Sequence, residues 1–428
     1  MKRRLKKKDV KTVLIIGAGF GGLNAAKALS NVAGLYVLLV DHKNHHLFQP
    51  LLYQVATAGL GVGDIAVPIR SEFADVENVE VHLGKVDYID LQEKVAGSQE
   101  APFELEYDFL ILACGAQHSY FAHPEWEAFA PGLKNLEQAT EMRRRIFSAY
   151  ESAENEFDLE KQKSLLSFVI VGGGPTGVEL AGAIAEISRT VLVKDFKRID
   201  PSRSRIVLIE AGPRLLASFD EKLSNYTVSA LQKMGVEVRL STRVMDLNSD
   251  GVKAGEEFIP ARTIFWAAGV QAQQLKFTPE MSKDRAGRLF VYADLSLPGY
   301  PEVFVVGDMA AVKMNENKFV PGLAPAAIQE GLYVGQRIQD LMEKIETAPF
   351  QYFDKGQMAT IGKNKAVIQI GAFKMTGFLA WVGWLVIHIF YLVGFKNKVF
   401  VYLQWAWSYL FSKRGARLIL ERDWRKKV

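Results

Sequence analysis

The chain has a single cysteine, Cys114, among 428 residues. One thiol excludes an intramolecular disulfide and any mechanism that needs a redox-active cysteine pair, and it makes no demand for an oxidising compartment. There is no low-complexity tract and no internal heptad. The apolar run at residues 13–16 follows a basic arm but is too short for a signal-peptide core, so it reads as a strand. Excess charge is also scarce, at a formal net +4.

What is there is enough apolar material, about half the residues, to bury the cores of two or three domains. The few excess positive charges are concentrated. Lys2, Arg3, Arg4, Lys6, Lys7 and Lys8 form an N-terminal arm, and Lys413, Arg414, Arg417, Arg422, Arg425, Lys426 and Lys427 make the C-terminus basic. Such segments suit nucleic acid, an anionic membrane face or plain solvent. The C-terminal group follows a strongly apolar stretch, which favours the membrane, and no nucleic-acid partner is expected.

Two glycine-rich turns carry the chemistry. Residues 12–16 (TVLII) read as a buried parallel strand. Gly17-Ala18-Gly19-Phe20-Gly21-Gly22 follows, then a helix over 23–29 and a second strand over 36–40 that ends in Asp41. The first glycine permits a tight turn, the second lets the backbone approach a pyrophosphate, and the third lets helix pack on strand. Unpaired N–H groups at the helix start face the phosphates. Asp41 lies 19 residues beyond Gly22, placed to accept from a ribose diol. Residues 168–171, then Gly172, Gly174 and Gly177, then a helix over 178–187, repeat this logic. The later strand, 205–209, ends in Glu210, 33 residues beyond Gly177, and residues 191–204 look like an insertion. An acid there repels a 2′-phosphate and favours NADH over NADPH; Arg214 is the nearby cation that works against it. Two such folds imply two dinucleotides, one held and one exchanging, as hydride transfer between a flavin and a nicotinamide needs.

Four further segments carry a family resemblance. Residues 108–116 (DFLILACGA) resemble the strand and turn that close an FAD domain, and 263–270 (TIFWAAGV) are similar at the end of the second domain. Residues 303–308 (VFVVGD) resemble the strand whose aspartate reaches FAD, and 46–56 (HLFQPLLYQVA) are the most particular match. Together they resemble the type II NADH:quinone oxidoreductases, from Val13 to about Phe411. The resemblance implies FAD on Gly17, Gly19, Gly22, Asp41, Gly115, Gly307 and Asp308, and NADH on Gly172, Gly174, Gly177, Glu210 and Gly269. It also implies hydride transfer from NADH to FAD and then electron transfer to membrane quinone. Glu179 matches a glutamate near the nicotinamide–flavin–quinone junction; its bland reading is an acid at a helix N-terminus. Gln329 keeps the last position of the family's quinone-segment pattern A-Q-x-A-x-Q, and the resemblance implies a catalytic, quinone-binding role for it beside Glu179, but Pro325 replaces the pattern's first glutamine.

Residues 377–394 (GFLAWVGWLVIHIFYLVG) form the longest apolar stretch, flanked by Lys374, Lys396 and Lys398. Its length is near the lower limit for crossing a bilayer, so spanning, re-entering and lying on the membrane all stay open for this stretch. Residues 399–411 add Tyr402, Trp405, Trp407 and Tyr409, while Asn397, Gln404 and Ser408 form a polar face suited to lying in an interface. The cluster His42, His45 and His46 fits no recurring metal spacing and reads as a loop packed against FAD; no metal is expected.

The expected architecture is α/β, with two Rossmann-like dinucleotide-binding domains and a C-terminal amphipathic, membrane-associating helical region. The expected boundaries are 10–120 with 286–345 for FAD, 164–285 for NADH, and 346–428 for the membrane region. The apolar segments hold no series of acids or lysines, so no ion pumping is expected. The expected place is the cytoplasmic face of the cell membrane, on the bilayer surface, and a homodimer is a further possible assembly. Two other readings share the fold: a soluble NAD(P)H-dependent reductase of a ferredoxin- or rubredoxin-type carrier, and a non-catalytic flavoprotein platform. A sulfide:quinone or dithiol enzyme would need the missing cysteine pair.

Overall fold

The computed structural model describes residues 3–4, 10–100, 103–315, 318–411 and 416–420. Most of both basic arms therefore lies outside the described residues. The continuous apolar runs become buried strands: β1 Lys11–Ile16, β2 Leu35–Asp41, β3 Val79–Leu83, β4 Phe109–Leu112, β5 Ser167–Val171, β6 Arg205–Ile209, β7 Val236–Arg239, β8 Thr263–Trp266 and β9 Tyr300–Val305. Three strands follow late in the chain, β10 Gln357–Gly362, β11 Lys365–Ile370 and β12 Phe373–Thr376. The helices used below are α1 Phe20–Ala28, α2 Leu136–Asn155, α3 Pro175–Glu186, α4 Glu221–Lys233, α5 Ala324–Glu343, α6 Gly377–Tyr391 and α7 Phe395–Phe411.

The chain divides into two compact units. The first comprises Met1–Leu47, Val67–Gln117 and Val270–Lys355; the second comprises Phe48–Ala66, His118–Gly269 and Gly356–Val428. This differs from the three-part expectation. Residues 356–428 do not stand apart but belong with the second nucleotide fold, and so do residues 48–66. The reason is close packing: a Cβ on Gly182 of α3 would lie 1.7 Å from the Ile361 carbonyl oxygen of β10.

In the first unit the sheet order is Ser296–Leu297, β9, β4, β1, β2, β3, parallel from β9 to β3. Ile16 stands beside Val40 and Leu112, and Leu112 beside Val305, so the strands end together. In the second unit β7, β6, β5 and β8 are all parallel, with Val171 beside Ile209 and Trp266. Ligands of such sheets sit outside the carboxyl ends of the strands, and both glycine turns emerge there.

Helix α1 begins at Phe20 and α3 at Pro175, each three residues before its expected start. The glycines of each turn enter the helix, and Pro175 suits its first position. Beyond Glu186 the helix widens into a π turn, Ile187–Val191. There Ser188 Oγ donates to Ile184 O and Thr190 Oγ1 to Glu186 O, each at 2.6 Å, competing with the backbone ladder. The acidic 151–163 segment is divided between α2 and a short helix, Leu159–Leu165, with Asp158 capping the latter. At the N-terminus Arg3–Arg4 pairs as a strand with Phe103 and Glu104.

Candidate active site

The first glycine turn is shaped by close approaches. Gly17 has φ +100°, and a Cβ there would lie 2.3 Å from the Ala113 carbonyl oxygen; one on Gly22 would lie 1.8 Å from Gly17 O. By contrast, a Cβ on Gly19 or Gly115 would meet nothing within 4 Å. Two glycines thus close the turn and two face open space that a ligand can fill. Asp41 Oδ2 accepts from Ala18 N at 2.6 Å and Oδ1 from Lys43 N at 2.7 Å. Gly307 and Asp308 follow β9 in the short turn Gly307–Met309.

His46 adds a second sign of a ligand. It is buried, and its Nδ1–H donates to Ala18 O at 2.9 Å. Burial pushes its pKa down, so the ring is neutral and Nε2 is an acceptor; that atom has no partner among the described residues. A buried acceptor beside an open glycine turn fits a hydroxyl-bearing dinucleotide such as FAD.

The second turn repeats the pattern. A Cβ on Gly172 would lie 2.5 Å from the Ala267 carbonyl carbon, one on Gly177 would lie 1.8 Å from Gly172 O, and one on Gly174 would meet nothing. Glu210 Oε2 accepts from Gly173 N at 2.6 Å, and Oε1 from Gly212 N at 2.6 Å. The Arg214 guanidinium donates to Ala217 O at 2.8 Å. Gly269 is different: the Phe121 ring lies 2.6 Å from where its Cβ would be, so glycine is required there by packing as well as by a φ of +81°.

Glu179 lies in the second turn of α3 and lines a cleft of about 710 Å³, mouth included. The same cleft is lined by Tyr53, Gln54, Thr57, Glu186, Thr360, Lys363, Trp381, Trp384, Trp405 and Tyr409. The Glu179 carboxyl keeps some access to the cleft yet is surrounded by protein atoms. That desolvation pushes it up to about 8, against the Thr360 backbone N–H that donates to it. Trp405 Nε1–H donates to Gln54 Oε1 at 2.7 Å, and Gln54 Nε2–H donates to the Tyr53 hydroxyl at 2.9 Å. Lys363 Nζ donates to Tyr409 O at 2.9 Å. Trp384 is 1 % exposed, and its Nε1–H has no acceptor among the described residues. It stacks on His388 at 4.0 Å; His388 donates to Trp384 O at 2.7 Å and is held neutral by burial, its pKa pushed down to about 4.

Gln329 is placed differently from its expected role. Its Nε2–H donates to Pro325 O and to Phe353 O at 3.0 Å each, and its Oε1 accepts from Phe353 N at 2.9 Å. The amide ties α5 to the segment after it within the first unit. Pro325 occupies the first turn of α5, as its fixed φ allows.

Sequence reasoning did not single out Gln54, Thr360 and Lys363, because they come from three separated segments. It also missed Glu330, a buried acid directly after Gln329 in the helix. A lone charged residue amid AAIQEGLYVG was the available signal.

No helix among the described residues is long and apolar enough to cross a membrane. Helix α6 has 15 residues and α7 has 17, about 22 and 25 Å long against a hydrocarbon core of about 30 Å. Their outer faces expose Phe378, Leu379, Val386, Phe390, Phe400, Tyr402, Leu403 and Trp407. Asn397 and Gln404 are half-buried, so the apolar face points outward.

The family model for pyridine nucleotide-disulphide oxidoreductases matches residues 11–331, and two glycine turns at the ends of two parallel sheets are the geometry of that class. A type II NADH:quinone oxidoreductase, Ndh of Mycobacterium tuberculosis, is 44 % identical over 425 residues, covering 96 % of this chain and 90 % of that protein. The chain belongs to the type II NADH:quinone oxidoreductases. Among solved structures, NDH2 from Plasmodium falciparum in complex with NADH aligns with a TM-score of 0.87 at 20 % identity, covering 96 % of this chain and all of that one. The sulfide:quinone oxidoreductase of Aquifex aeolicus aligns with a TM-score of 0.71 at 17 % identity, covering 91 % of this chain and 92 % of that one. Both likenesses are of fold; the single cysteine separates this chain from dithiol chemistry.

Proposed function

We propose that this protein oxidises NADH and reduces a membrane quinone through FAD, without ion pumping. Bound FAD supplies the two-electron relay, accepting hydride from NADH and reducing quinone. The first unit holds FAD at Gly17, Gly19, Gly22, Asp41, Gly115, Gly307 and Asp308, with His46 Nε2 accepting from a hydroxyl. The second holds NADH at Gly172, Gly174 and Gly177, and Glu210 selects against a 2′-phosphate by charge repulsion.

The observation that carries the quinone end is the cleft around Glu179. Its walls are aromatic, its Trp384 Nε1–H lacks an acceptor among the described residues, and the desolvated Glu179 carboxyl holds its proton at neutral pH. A quinone carbonyl matches the free donor, and reduction to quinol needs protons that Glu179 can supply and recover from water. Gln329 holds the segment at Phe353 rather than the quinone.

Helices α6 and α7 lay their apolar outer faces on the bilayer, at the cytoplasmic face of the cell membrane where NADH is available. Aromatics at the surface and Lys374, Lys396 and Lys398 at the ends suit an anionic interface. In the alternative assembly, a homodimer, a second copy covers the same face. Flotation with phosphatidylglycerol vesicles, beside sedimentation in detergent-free buffer, separates the two.

The deciding experiment is NADH oxidation by the FAD-loaded protein with and without a short-chain quinone, repeated with NADPH. Quinone-dependent turnover, much faster with NADH, is expected. Flavin bleaching by NADH without quinone turnover would move the acceptor to a carrier protein. No bleaching at all would leave a non-catalytic platform.

A further inference from the structure

Glu330 has no part in the reading above. It sits in the second turn of α5 and is 2 % exposed. Gly307 N donates to its Oε2 at 2.5 Å. Burial nonetheless pushes the carboxyl up to about 8, with Asp308 adding to the rise, so it is mostly uncharged at neutral pH.

Its surroundings give the carboxyl a purpose. Gly307 opens the turn that carries Asp308. Ala327, three residues earlier on the same face of α5, lies 3.5 Å from where a Cβ of Gly307 would be. Gly331, one helical turn beyond Ala327, packs on the first glycine turn, where its Cβ would lie 2.1 Å from Gly21 O. One face of α5 therefore backs both the first glycine turn and the turn at Gly307. The titratable groups facing Glu330 are Asp308 and Tyr352, whose hydroxyl lacks a partner among the described residues. The glycine turn on the other side, residues 17–24, brings no charge.

We propose that Glu330 is a positioning residue for FAD: protonated, it fixes the turn of Gly307 and Asp308 from behind, and ionised, it opposes seating of the anionic dinucleotide. The proposal rests on the reading that the first unit holds FAD. The physical reason is linkage. The pyrophosphate brings negative charge toward a buried carboxyl and favours its protonated form. Where the empty cradle has lost that proton, FAD binding takes one up, and affinity falls as pH rises.

The test is FAD release on dilution of the holoenzyme, followed as recovered flavin fluorescence at pH 7 and pH 9. With ionisation near 8 in the empty cradle, the dissociation constant of the parent protein rises about tenfold over that interval, as one proton per FAD requires. Glu330→Gln keeps an acceptor for Gly307 N and carries no charge, so it matches the parent at pH 7 and stays flat to pH 9. Glu330→Leu loses the acceptor and binds more weakly than Glu330→Gln at both pH values, by one common factor. A full pH dependence in Glu330→Gln, or unchanged affinity in Glu330→Leu, overturns the proposal. The underlying reading fails separately: Gly19→Val would then leave FAD affinity untouched.

Discussion

The two glycine turns of this chain reach the same geometry from different spacings. Asp41 follows its last turn glycine by 19 residues and Glu210 by 33. Yet each carboxylate accepts from the second residue of its turn at 2.6 Å and from the residue two places further along its own segment. The insertion in the second fold is accommodated before β6, so the end of the strand, and with it the acid, is unmoved. What differs is the company of the helix that follows. Helix α1 is clamped by α5, where Gly331 and Gly335 touch its backbone and the Ala28 side chain. Helix α3 packs on β10 and offers Glu179 to an aromatic cleft. The first turn also has a buried acceptor without a partner among the described residues, His46 Nε2. On the reading proposed above, the same phosphate cradle serves a resident cofactor in one fold and an exchanging one in the other.

The largest expected effect comes from pressing a methyl into each turn. Gly22→Ala and Gly177→Ala both place a Cβ against a carbonyl oxygen at 1.8 Å. Gly22→Ala should lose the yellow flavin absorbance on purification. Gly177→Ala should keep it while NADH turnover falls on the order of 100-fold, matching a strain of about 3 kcal/mol. Equal flavin loss in both would erase the distinction between the folds.

Next, Glu179→Gln should slow quinone reduction by about 100-fold while stopped-flow bleaching of the flavin by NADH changes little. A carboxyl pushed up to about 8 holds its proton below that pH and loses it above. Quinone-dependent turnover of the parent should therefore decline as pH rises past 8, and a profile of unchanged shape in Glu179→Gln would remove the acid from the mechanism. Glu210→Ala should shrink the preference for NADH over NADPH about tenfold, a change of about 1.4 kcal/mol; the ratio of kcat/KM values reads it directly.

Gln329→Leu breaks both links to Phe353 and should cost about 1–3 kcal/mol in urea unfolding, two hydrogen bonds' worth, with the KM for quinone unchanged. A clear rise in that KM would restore the binding role expected for it. Smallest is Trp405→Phe, which removes the donor to Gln54. About 0.5–1.5 kcal/mol of stability should go with it, and the cleft should keep its activity within a few-fold.

Much of this was legible beforehand because it depends on short-range pattern. Strand, glycine turn and helix are contiguous, so residues 12–28 and 167–186 declare themselves; the carboxylates at the strand ends follow from the period of a parallel unit. The cleft was not legible. Trp405 and Trp384 read as interface aromatics, yet Trp384 is 1 % exposed and Trp405 binds Gln54 across 351 positions of sequence. Gln329 shows the converse: a motif residue whose amide is taken up by the local backbone.

The sequence by itself determined the two dinucleotide folds, the acid at each, the exclusion of thiol chemistry and the apolar character of residues 377–411, since each is set by residue type and local period. Only the tertiary structure decided that those helices belong with the second fold, that Glu179 keeps its proton and that Glu330 lies behind the turn of Gly307. Desolvation depends on which distant segments pack around a carboxyl, and that arrangement has no counterpart in linear spacing.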